Sequence, residues 1–379
     1  MKIGNPFFLS GYYGPDFFCD REEETSRLSS NALNGVNSTL LSIRRMGKTG
    51  LINHCFYHLN KSKKIKTIYV DIYASQNLRD MTNSVAAAIM QAFPDSNTVG
   101  KRLMNVIKNL RPTIGFDPLT GLPEVNFEYS RSTQYEKSLM SLFTFLEEQK
   151  TTTVIAIDEF QQISTYPEKN TEALLRTIIQ PLQNVQFIFS GSNKHLLSEM
   201  FNDSKRPFFS STQAVYLGQI DQEKYAEYIK TLFDRYKKAI SKEAIEFILE
   251  FSKMHTYYTQ VICNRLFASV ENKIDLEITR KKCAEVLKEQ EHIFFQYRNL
   301  LTSIQWSLLA AIAKEDKVYK PTSKKFLSEH NVGTAANVQR ALDSLLNKEM
   351  IYKEIEEEGT YYRVYDCFLS RWLEQSKIN

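Results

Sequence analysis

The chain has 379 residues, 42% of them hydrophobic and 24% charged, with 48 Lys and Arg against 44 Asp and Glu, a formal net charge of +4. This composition excludes wholesale disorder, the length suits two or three domains, and so small a charge does not by itself indicate a nucleic-acid or membrane partner. The five cysteines are scattered and form no CxxC pair, which excludes a disulfide scaffold. The sequence has no apolar run near 20 residues and no signal-peptide core, which excludes a membrane protein. We therefore expect a cytoplasmic location.

Apolar runs alternate with helical patterns over the first 220 residues. The runs predict strands at 38–43, 66–72, 152–157, 186–190 and 214–217. The intervening patterns predict helices at 48–59, 81–93, 171–180 and 193–201. Continuously apolar strands that alternate with helices are typical of a mostly parallel sheet covered on both faces. We therefore predict an α/β domain over residues 1–220.

One segment interrupts this alternation. Residues 94–130 contain four prolines and three glycines, a helix-like middle and an end that resembles two short strands around a turn. We interpret the segment as an insertion that protrudes from the core and contacts a partner or a neighbouring subunit.

Helical patterns replace strands after residue 220. Helices are predicted at 223–236, 242–254, 258–270 and 279–296, which we interpret as a helical lid over residues 221–296. The last part, 297–379, predicts helices at 303–313, 323–330 and 334–348, followed by strands at 350–355 and 360–365. Three helices followed by a hairpin are typical of a winged-helix domain.

The strongest motif follows the first predicted strand. Residues 42–49, SIRRMGKT, match the phosphate-loop template G-x-x-x-x-G-K-[ST], except that Ser42 replaces the first glycine. Gly47 lets the backbone approach phosphate oxygens, Lys48 would reach the β- and γ-phosphates, and the Thr49 hydroxyl would bind Mg²⁺. Ser42 can replace glycine if its φ is negative.

This loop is the expected binding site for ATP or ADP. The nucleotide-binding residues predicted here are Arg44, Arg45, Met46, Gly47, Lys48, Thr49 and Gly50. For the two arginines two roles remain open, because each could steer phosphate or anchor the loop to acidic residues.

A second motif ends the strand predicted at 152–157. The run VIAIDE places Asp158 and Glu159 at the carboxyl end of an apolar strand. Asp158 would hold Mg²⁺ through water, and Glu159 would polarise the attacking water, with Lys48 as the other catalytic residue. An acidic pair on the surface is the alternative, but two such motifs in this order along the chain favour an ATP site.

Together these segments resemble the archaeal-type ATPase family, P-loop ATPases of the AAA+ and STAND kind. The resemblance rests on SIRRMGKTGL, IDEF, FIFSGS and the terminal winged helix. It also rests on GPDFFCDREEE near the N-terminus, MHTYYTQ at 254–260 and YDCFLSRW at 365–372. In the second of these, Met254 and Thr256 replace the Gly and Pro of the family motif. The resemblance covers nearly the whole chain and implies a P-loop NTPase core, a helical lid and a C-terminal winged helix.

Further site residues are implied by this resemblance. Ser190 or Ser192 would be the sensor that contacts the γ-phosphate or the attacking water, and Phe18 and Arg21 would line the adenine side. An arginine finger supplied by a neighbouring subunit is a further implication, with Arg206 as the candidate. A solvated arginine beside Lys205 is the alternative.

Two functions are consistent with these features. The first is a Mg-ATPase whose hydrolysis drives or switches a rearrangement of the lid and the winged helix. The second is a nucleotide-regulated protein that binds DNA through the winged helix.

Electrostatics argue against the second function. Residues 302–379 hold 11 basic and 11 acidic residues, and four of the acidic residues lie at 354–358, in the predicted wing. A DNA-binding domain is expected to present a basic face, so we expect weak or no sequence-specific binding. We expect the domain instead to pack on the lid through Trp306, Phe368 and Trp372 or to meet a protein partner, with self-association as a further alternative. Lys320, Lys324 and Lys325 keep the DNA hypothesis open.

Overall fold

The computed structural model describes residues 4–94, 98–109, 113–116, 118, 120–127 and 132–375. The chain divides into two compact units. One, which we call the sheet unit, is Gly11–Gly218; the other, the helical unit, combines Met1–Ser10 with Gln219–Asn379. Within the described ranges, no helix is long and apolar enough to cross a membrane.

The sheet unit contains seven helices and seven strands among its described residues. In chain order they are α1 (Glu22–Leu33), β1 (Ser38–Leu41), α2 (Lys48–Leu59), β2 (Ile65–Asp71), α3 (Leu78–Ala92), α4 (Thr98–Asn109), β3 (Thr113–Phe116), β4 (Pro123–Asn126), α5 (Ser132–Glu147), β5 (Thr152–Asp158), α6 (Thr171–Ile179), β6 (Val185–Ser190), α7 (Lys194–Asn202) and β7 (Gln213–Tyr216). Short 3-10 turns lie at Pro15–Phe17 and Phe160–Thr165.

Five of these strands form one parallel sheet in the order β2-β5-β6-β1-β7, which confirms the predicted α/β fold. Alternate residues of β5 enter different apolar clusters. Val154 and Ala156 pack with residues of α1 and α2, whereas Ile155 and Ile157 pack with residues of α3, α5 and α6. Both faces of the sheet are therefore covered, and the carboxyl ends of all five strands lie at one edge.

The sequence suggested that residues 94–130 protrude from the core. The described residues of this segment instead contribute to it. It forms α4 and the antiparallel hairpin β3–β4, and the two short strands around a turn are confirmed. Four of its side chains are buried in the same cluster as α3 and α5, namely Leu103, Ile107, Val125 and Phe127. The hairpin also has an exposed side, because Phe116 is 68% exposed.

We predict that Phe127→Ala will lower the free energy of unfolding by about 3–5 kcal/mol, because it removes a fully buried aromatic side chain from this core. Phe116→Ala, in the same hairpin, is the matched control and should change it by less than about 0.5 kcal/mol. Urea denaturation of both variants measures the difference. Equal effects would place the hairpin outside the core.

The helical unit holds the remaining elements. They are α8 (Gln222–Arg235), β8 (Ala239–Ile240), α9 (Lys242–Phe251), α10 (Thr256–Phe267), β9 (Lys273–Ile274), α11 (Leu276–Leu300), α12 (Ser303–Glu315), α13 (Lys324–His330), α14 (Ala335–Asn347), β10 (Ile351–Glu356), β11 (Gly359–Val364) and α15 (Cys367–Gln375). Three helices, α12 to α14, and the antiparallel pair β10–β11 form the predicted winged helix.

The N-terminal segment also belongs to this helical unit, not to the sheet domain as the sequence suggested. Asn5 Nδ2 donates to the backbone oxygen of Asn264 at 3.0 Å, and Asn264 Nδ2 donates to that of Phe7 at 2.7 Å. The buried Phe7 ring lies 5.1 Å from the Phe233 ring, measured between centroids. Two hydrogen bonds from asparagine side chains and one aromatic contact attach the segment to the helical unit. Such long-range contacts are not visible in a local sequence pattern.

A lysine with a mostly buried side chain connects the helices before the winged helix to the winged helix itself. The Lys253 side chain, 9% exposed, donates to Asp316 Oδ1 at 2.5 Å, to Glu374 Oε1 at 3.0 Å and to Ser370 Oγ at 2.8 Å. Arg363 also donates two hydrogen bonds to Asp316. Burial alone would raise the pKa of Asp316, but the hydrogen bonds from Arg363 and Lys253 lower it to about 2.

We predict that Asp316→Asn will destabilise the protein in a pH-dependent way. The folded pKa of about 2 lies below the ordinary value of 3.8, so the ionised carboxylate adds stability above pH 4 that is lost as the pH falls towards 2. With solvent screening, we expect a loss of about 1 kcal/mol at pH 7 that disappears near pH 2. Urea denaturation at several pH values tests this, with the exposed Asp343→Asn as control. A loss that does not vary with pH would contradict it.

Candidate nucleotide-binding site

The loop between β1 and α2 has the backbone geometry of an anion site. Gly47 lies in the left-handed region with φ 99°, as does Arg45 with φ 63°, whereas Ser42 does not. Ser42 is buried, and its hydroxyl donates to the backbone oxygen of Ile43 at 3.1 Å. The condition under which serine can replace the first glycine of the motif is therefore met.

The N-terminus of α2 has no side-chain cap among the described residues. Gly47 is its N-cap residue. The first N–H groups of a helix have no partner within the helix, and its dipole favours negative charge at this end. Loop and helix end together suit a phosphate group.

Lys48 brings a buried positive charge to this loop. Its side chain is 7% exposed, and Nζ donates to the backbone oxygen of Ile43 at 3.2 Å. Burial lowers the pKa of the ammonium, while the negative charges of Asp158 and Glu159 act in the opposite direction. An anion bound at the loop would favour the charged form in the same way.

The carboxylate of Asp158 is held by four hydrogen bonds. Thr49 Oγ1 donates to Oδ2 at 3.0 Å, and Tyr69 Oη donates to the same oxygen at 2.6 Å. Ser190 Oγ donates to Oδ1 at 2.6 Å, and the backbone N–H of Glu159 does so at 3.0 Å. The two sequence motifs therefore meet in space through Thr49 and Asp158.

Tyr69 is a site residue that the sequence did not indicate. It lies on β2, two residues before Asp71, which is the register partner of Asp158 on β5. Alternate residues of a strand share a face, so Tyr69 and Asp71 both face the side on which Asp158 lies. A polar residue two positions before a strand end is a weak signal, and only the strand order makes it relevant.

The oxygen donors at Thr49 and Asp158 fit the chemistry of Mg²⁺, which prefers hydroxyl, carboxylate, phosphate and water oxygens. In the described part of the chain there is no group of three or more His, Cys, Asp or Glu side chains that could hold a metal by themselves. In nucleotide sites Mg²⁺ is typically bound by one or two protein side chains together with substrate phosphates and water.

Glu159 faces a different set of residues from Asp158. Its backbone is left-handed, with φ 57°, so the chain bends sharply after β5. Oε2 accepts hydrogen bonds from Ser192 Oγ at 2.7 Å, from the Ser192 N–H at 3.2 Å and from Gln161 Nε2 at 2.5 Å. Of the two sensor candidates, Ser190 thus contacts Asp158 and Ser192 contacts Glu159.

The predicted adenine-side residues have separate surroundings. The Phe18 ring stacks on the His54 ring of α2 with centroids 4.1 Å apart, and its edge lies 3.6 Å from the position that a Cβ on Gly50 would take. Arg21 is buried and donates to Glu24 at 2.9 Å and to the backbone oxygen of Gly218 at 2.7 Å. Phe18 therefore lies beside the phosphate-loop helix, whereas these hydrogen bonds of Arg21 go to α1 and to the backbone at Gly218.

The candidate arginine finger is engaged within its own unit. Arg206 Nη2 lies 2.6 Å from Glu172 Oε1, and Nη1 lies 3.7 Å from Glu199 Oε1, with the side chain 26% exposed. Arg206 therefore balances acidic residues of the same chain, and a role for it in a neighbouring subunit stays a prediction.

The fold is shared with solved structures of low sequence identity. A Walker-type ATPase of Pyrococcus abyssi is 17% identical with a TM-score of 0.67, and the match covers 97% of this chain and 99% of that one. The ORC1 protein of Aeropyrum pernix in complex with DNA is 14% identical with a TM-score of 0.53, covering 98% and 96%. The ORC2 protein of the same organism, in ADPNP–ADP complexes, is 13% identical with a TM-score of 0.54, covering 98% of each chain.

Family models match both units, although no curated protein sequence does. Residues 292–375 match a probable winged-helix domain. Residues 18–252, more than half of the chain, match the ATPase domain found predominantly in Archaea, and they include the phosphate loop and the acidic strand end. The chain therefore belongs to this family of ATPase domains.

Proposed function

We propose that this protein binds Mg-ATP at the loop between β1 and α2 and hydrolyses it to ADP and phosphate. The observation that carries the proposal is the 3.0 Å hydrogen bond between Thr49 and Asp158, which joins the phosphate loop to the acidic end of β5. The buried ammonium of Lys48 and the uncapped N-terminus of α2 supply the positive potential that a triphosphate requires.

Each residue has a distinct role in this reaction. Lys48 binds the β- and γ-phosphates, and Thr49 and Asp158 hold Mg²⁺, which neutralises phosphate charge when bound. The oxygen of a water molecule attacks the γ-phosphorus, and the bond to the bridging oxygen of ADP breaks. Glu159 polarises this water and accepts its proton.

Hydrolysis is proposed to drive or switch a rearrangement of the lid and the winged helix. The chain passes between the two compact units twice, at Ser10–Gly11 and at Gly218–Gln219. Both crossings contain a glycine, and Gly11 has φ 82°. Arg21, an expected nucleotide residue, binds the backbone oxygen of Gly218 at one crossing. This bond would couple the nucleotide site to the backbone that joins the units.

We predict that Glu159→Gln will keep Mg-ATP bound while turnover falls by about 100-fold or more, because the amide cannot accept the proton of the attacking water. Lys48→Ala is the matched variant for binding and should lose most ATP affinity, because it removes the charge directed at the β- and γ-phosphates. Isothermal titration and phosphate release, measured on both variants and the parent chain, separate these effects.

The two variants also define how the proposal fails. Wild-type ATP affinity in a folded Lys48→Ala variant would contradict the phosphate-loop assignment. Unchanged phosphate release in Glu159→Gln would remove Glu159 from the catalytic role.

Nucleotide-regulated DNA binding by the winged helix is a second candidate function. It is favoured by the surroundings of the acidic wing residues, whose charge is more compensated than the sequence indicates. Glu356 accepts hydrogen bonds from Lys317 at 2.8 Å and Tyr319 at 2.9 Å, and Glu354 accepts one from Tyr361 at 2.7 Å. The ORC1 neighbour was solved with DNA, but at 14% identity the likeness extends only to the fold.

We predict weak binding of duplex DNA by the full chain, because basic and acidic residues balance in the winged helix. Fluorescence titration at two salt concentrations, with and without ATP, measures this affinity. Sub-micromolar, salt-sensitive binding that is weakened by Lys324→Ala and Lys325→Ala would contradict this prediction and favour DNA binding as the function of the winged helix.

A further inference from the structure

Gln161 lies in the 3-10 turn that follows β5, two residues after Glu159. Because the backbone of Glu159 is left-handed, the chain bends and the side-chain amide of Gln161 lies against the carboxylate of Glu159. Gln161 Nε2 lies 2.5 Å from Glu159 Oε2 and 3.5 Å from Ser192 Oγ. The amide thus contacts both members of the Ser192–Glu159 pair.

These contacts fall on one oxygen of the carboxylate. Oε2 accepts three hydrogen bonds, two from Ser192 and one from Gln161, whereas none of the described residues donates to Oε1. A carboxylate fixed through one oxygen keeps the lone pairs of the other available in a defined direction. This is the arrangement required of a group that must accept a proton from a positioned water.

The oxygen of the Gln161 amide has different surroundings from its nitrogen. Gln161 Oε1 is buried and has no hydrogen-bond partner among the described residues. A buried amide oxygen without a partner carries an unfavourable desolvation free energy, so the amide is held here against that penalty. The opposite amide orientation would place its oxygen against the carboxylate, with repulsion between two acceptors.

Gly191, which follows β6, leaves the space that the amide occupies. A Cβ added at Gly191 would lie 1.9 Å from Gln161 Oε1 and 3.0 Å from its amide carbon. Any side chain at position 191 would therefore displace the amide, although the backbone at Gly191 is not in the left-handed region. The glycine is needed for room and not for its conformational freedom.

We propose that Gln161 is a positioning residue for ATP hydrolysis, with its amide holding the Glu159 carboxylate in the orientation that activates the attacking water. Gly191 serves the same purpose by leaving room for that amide. The inference rests on the proposed ATPase function and extends it to two residues outside the phosphate-loop and acidic motifs. Gln161 acts through Glu159 and does not itself take up the proton.

The test compares Gln161→Ala and Gly191→Ala with Gln162→Ala. Gln162 is the matched control, because it lies in the same turn but donates to the backbone oxygen of Ser75 and to Thr165. We expect the first two variants to lower kcat by about 10- to 100-fold, the range expected when a catalytic group is displaced by about 1 Å. ATP affinity by isothermal titration should stay within about twofold, and Gln162→Ala should match the parent chain.

A double variant separates positioning from a general loss of structure. If Gln161 acts through Glu159, adding Gln161→Ala to Glu159→Gln should lower kcat no further, because groups that act as a unit are not additive. An additional loss in the double variant, or normal kcat in Gln161→Ala, would overturn the inference. Normal kcat in Glu159→Gln would instead contradict the proposed function, so the two failures are distinguishable. Thermal melting of each variant identifies any that does not fold, and Gln161→Ala, which only removes atoms, keeps the test valid if Gly191→Ala unfolds.

Discussion

The hydrogen bonds to the Asp158 carboxylate depend on the assembly of the whole sheet unit. The side-chain donors are Thr49 on α2, Tyr69 on β2 and Ser190 on β6. Strands β2 and β6 must therefore have the correct register relative to β5, and helix α2 must be correctly positioned beside the sheet. A slip of one residue in a strand turns every side chain to the opposite face, so a shift of β2 would remove Tyr69 from the site. The parallel register that forms the core is thus also what fixes the orientation of the carboxylate.

Two adjacent acidic residues serve different surroundings because the backbone between them changes direction. Asp158 ends β5 in extended geometry, whereas Glu159 is left-handed, a conformation that costs a non-glycine residue about 1 kcal/mol or more. The turn that follows contributes Phe160 to the core, where its ring lies 4.5 Å from that of Phe189. Packing of this ring stabilises the bend, and the bend directs Glu159 away from the donors of Asp158. The apolar residue beside the acidic pair is therefore part of how the two carboxylates are separated.

The sequence predicted those features that depend on local chemistry. Continuous apolar runs identified all five strands of the sheet, and the glycine–lysine–threonine triplet identified the start of α2. Features set by tertiary packing were missed. Prolines and glycines suggested that residues 94–130 protrude, yet Val125 and Phe127 are buried, because turn residues describe the loop and not what its flanks contact. Tyr69 and Gln161 were missed because their contacts with Asp158 and Glu159 arise from strand order and from a backbone bend, neither of which has a periodic signal.

The electrostatics of the site also explain why a lysine can be buried here. Removing an ammonium from water is costly, and the lowered pKa of Lys48 reflects that cost. Asp158 and Glu159 oppose the shift, but their oxygens already accept hydrogen bonds from serine, threonine, tyrosine and glutamine side chains, which draw on the same negative charge. The hydrogen bond that the structure gives Lys48 Nζ goes to the backbone oxygen of Ile43 and not to either carboxylate. In the proposed function, a polyphosphate bound at this loop would favour the protonated lysine, because its negative charge opposes the effect of burial. The proposed division of roles, with the acidic residues acting on metal and water and the lysine on phosphate, would then leave these groups free of competition for one another.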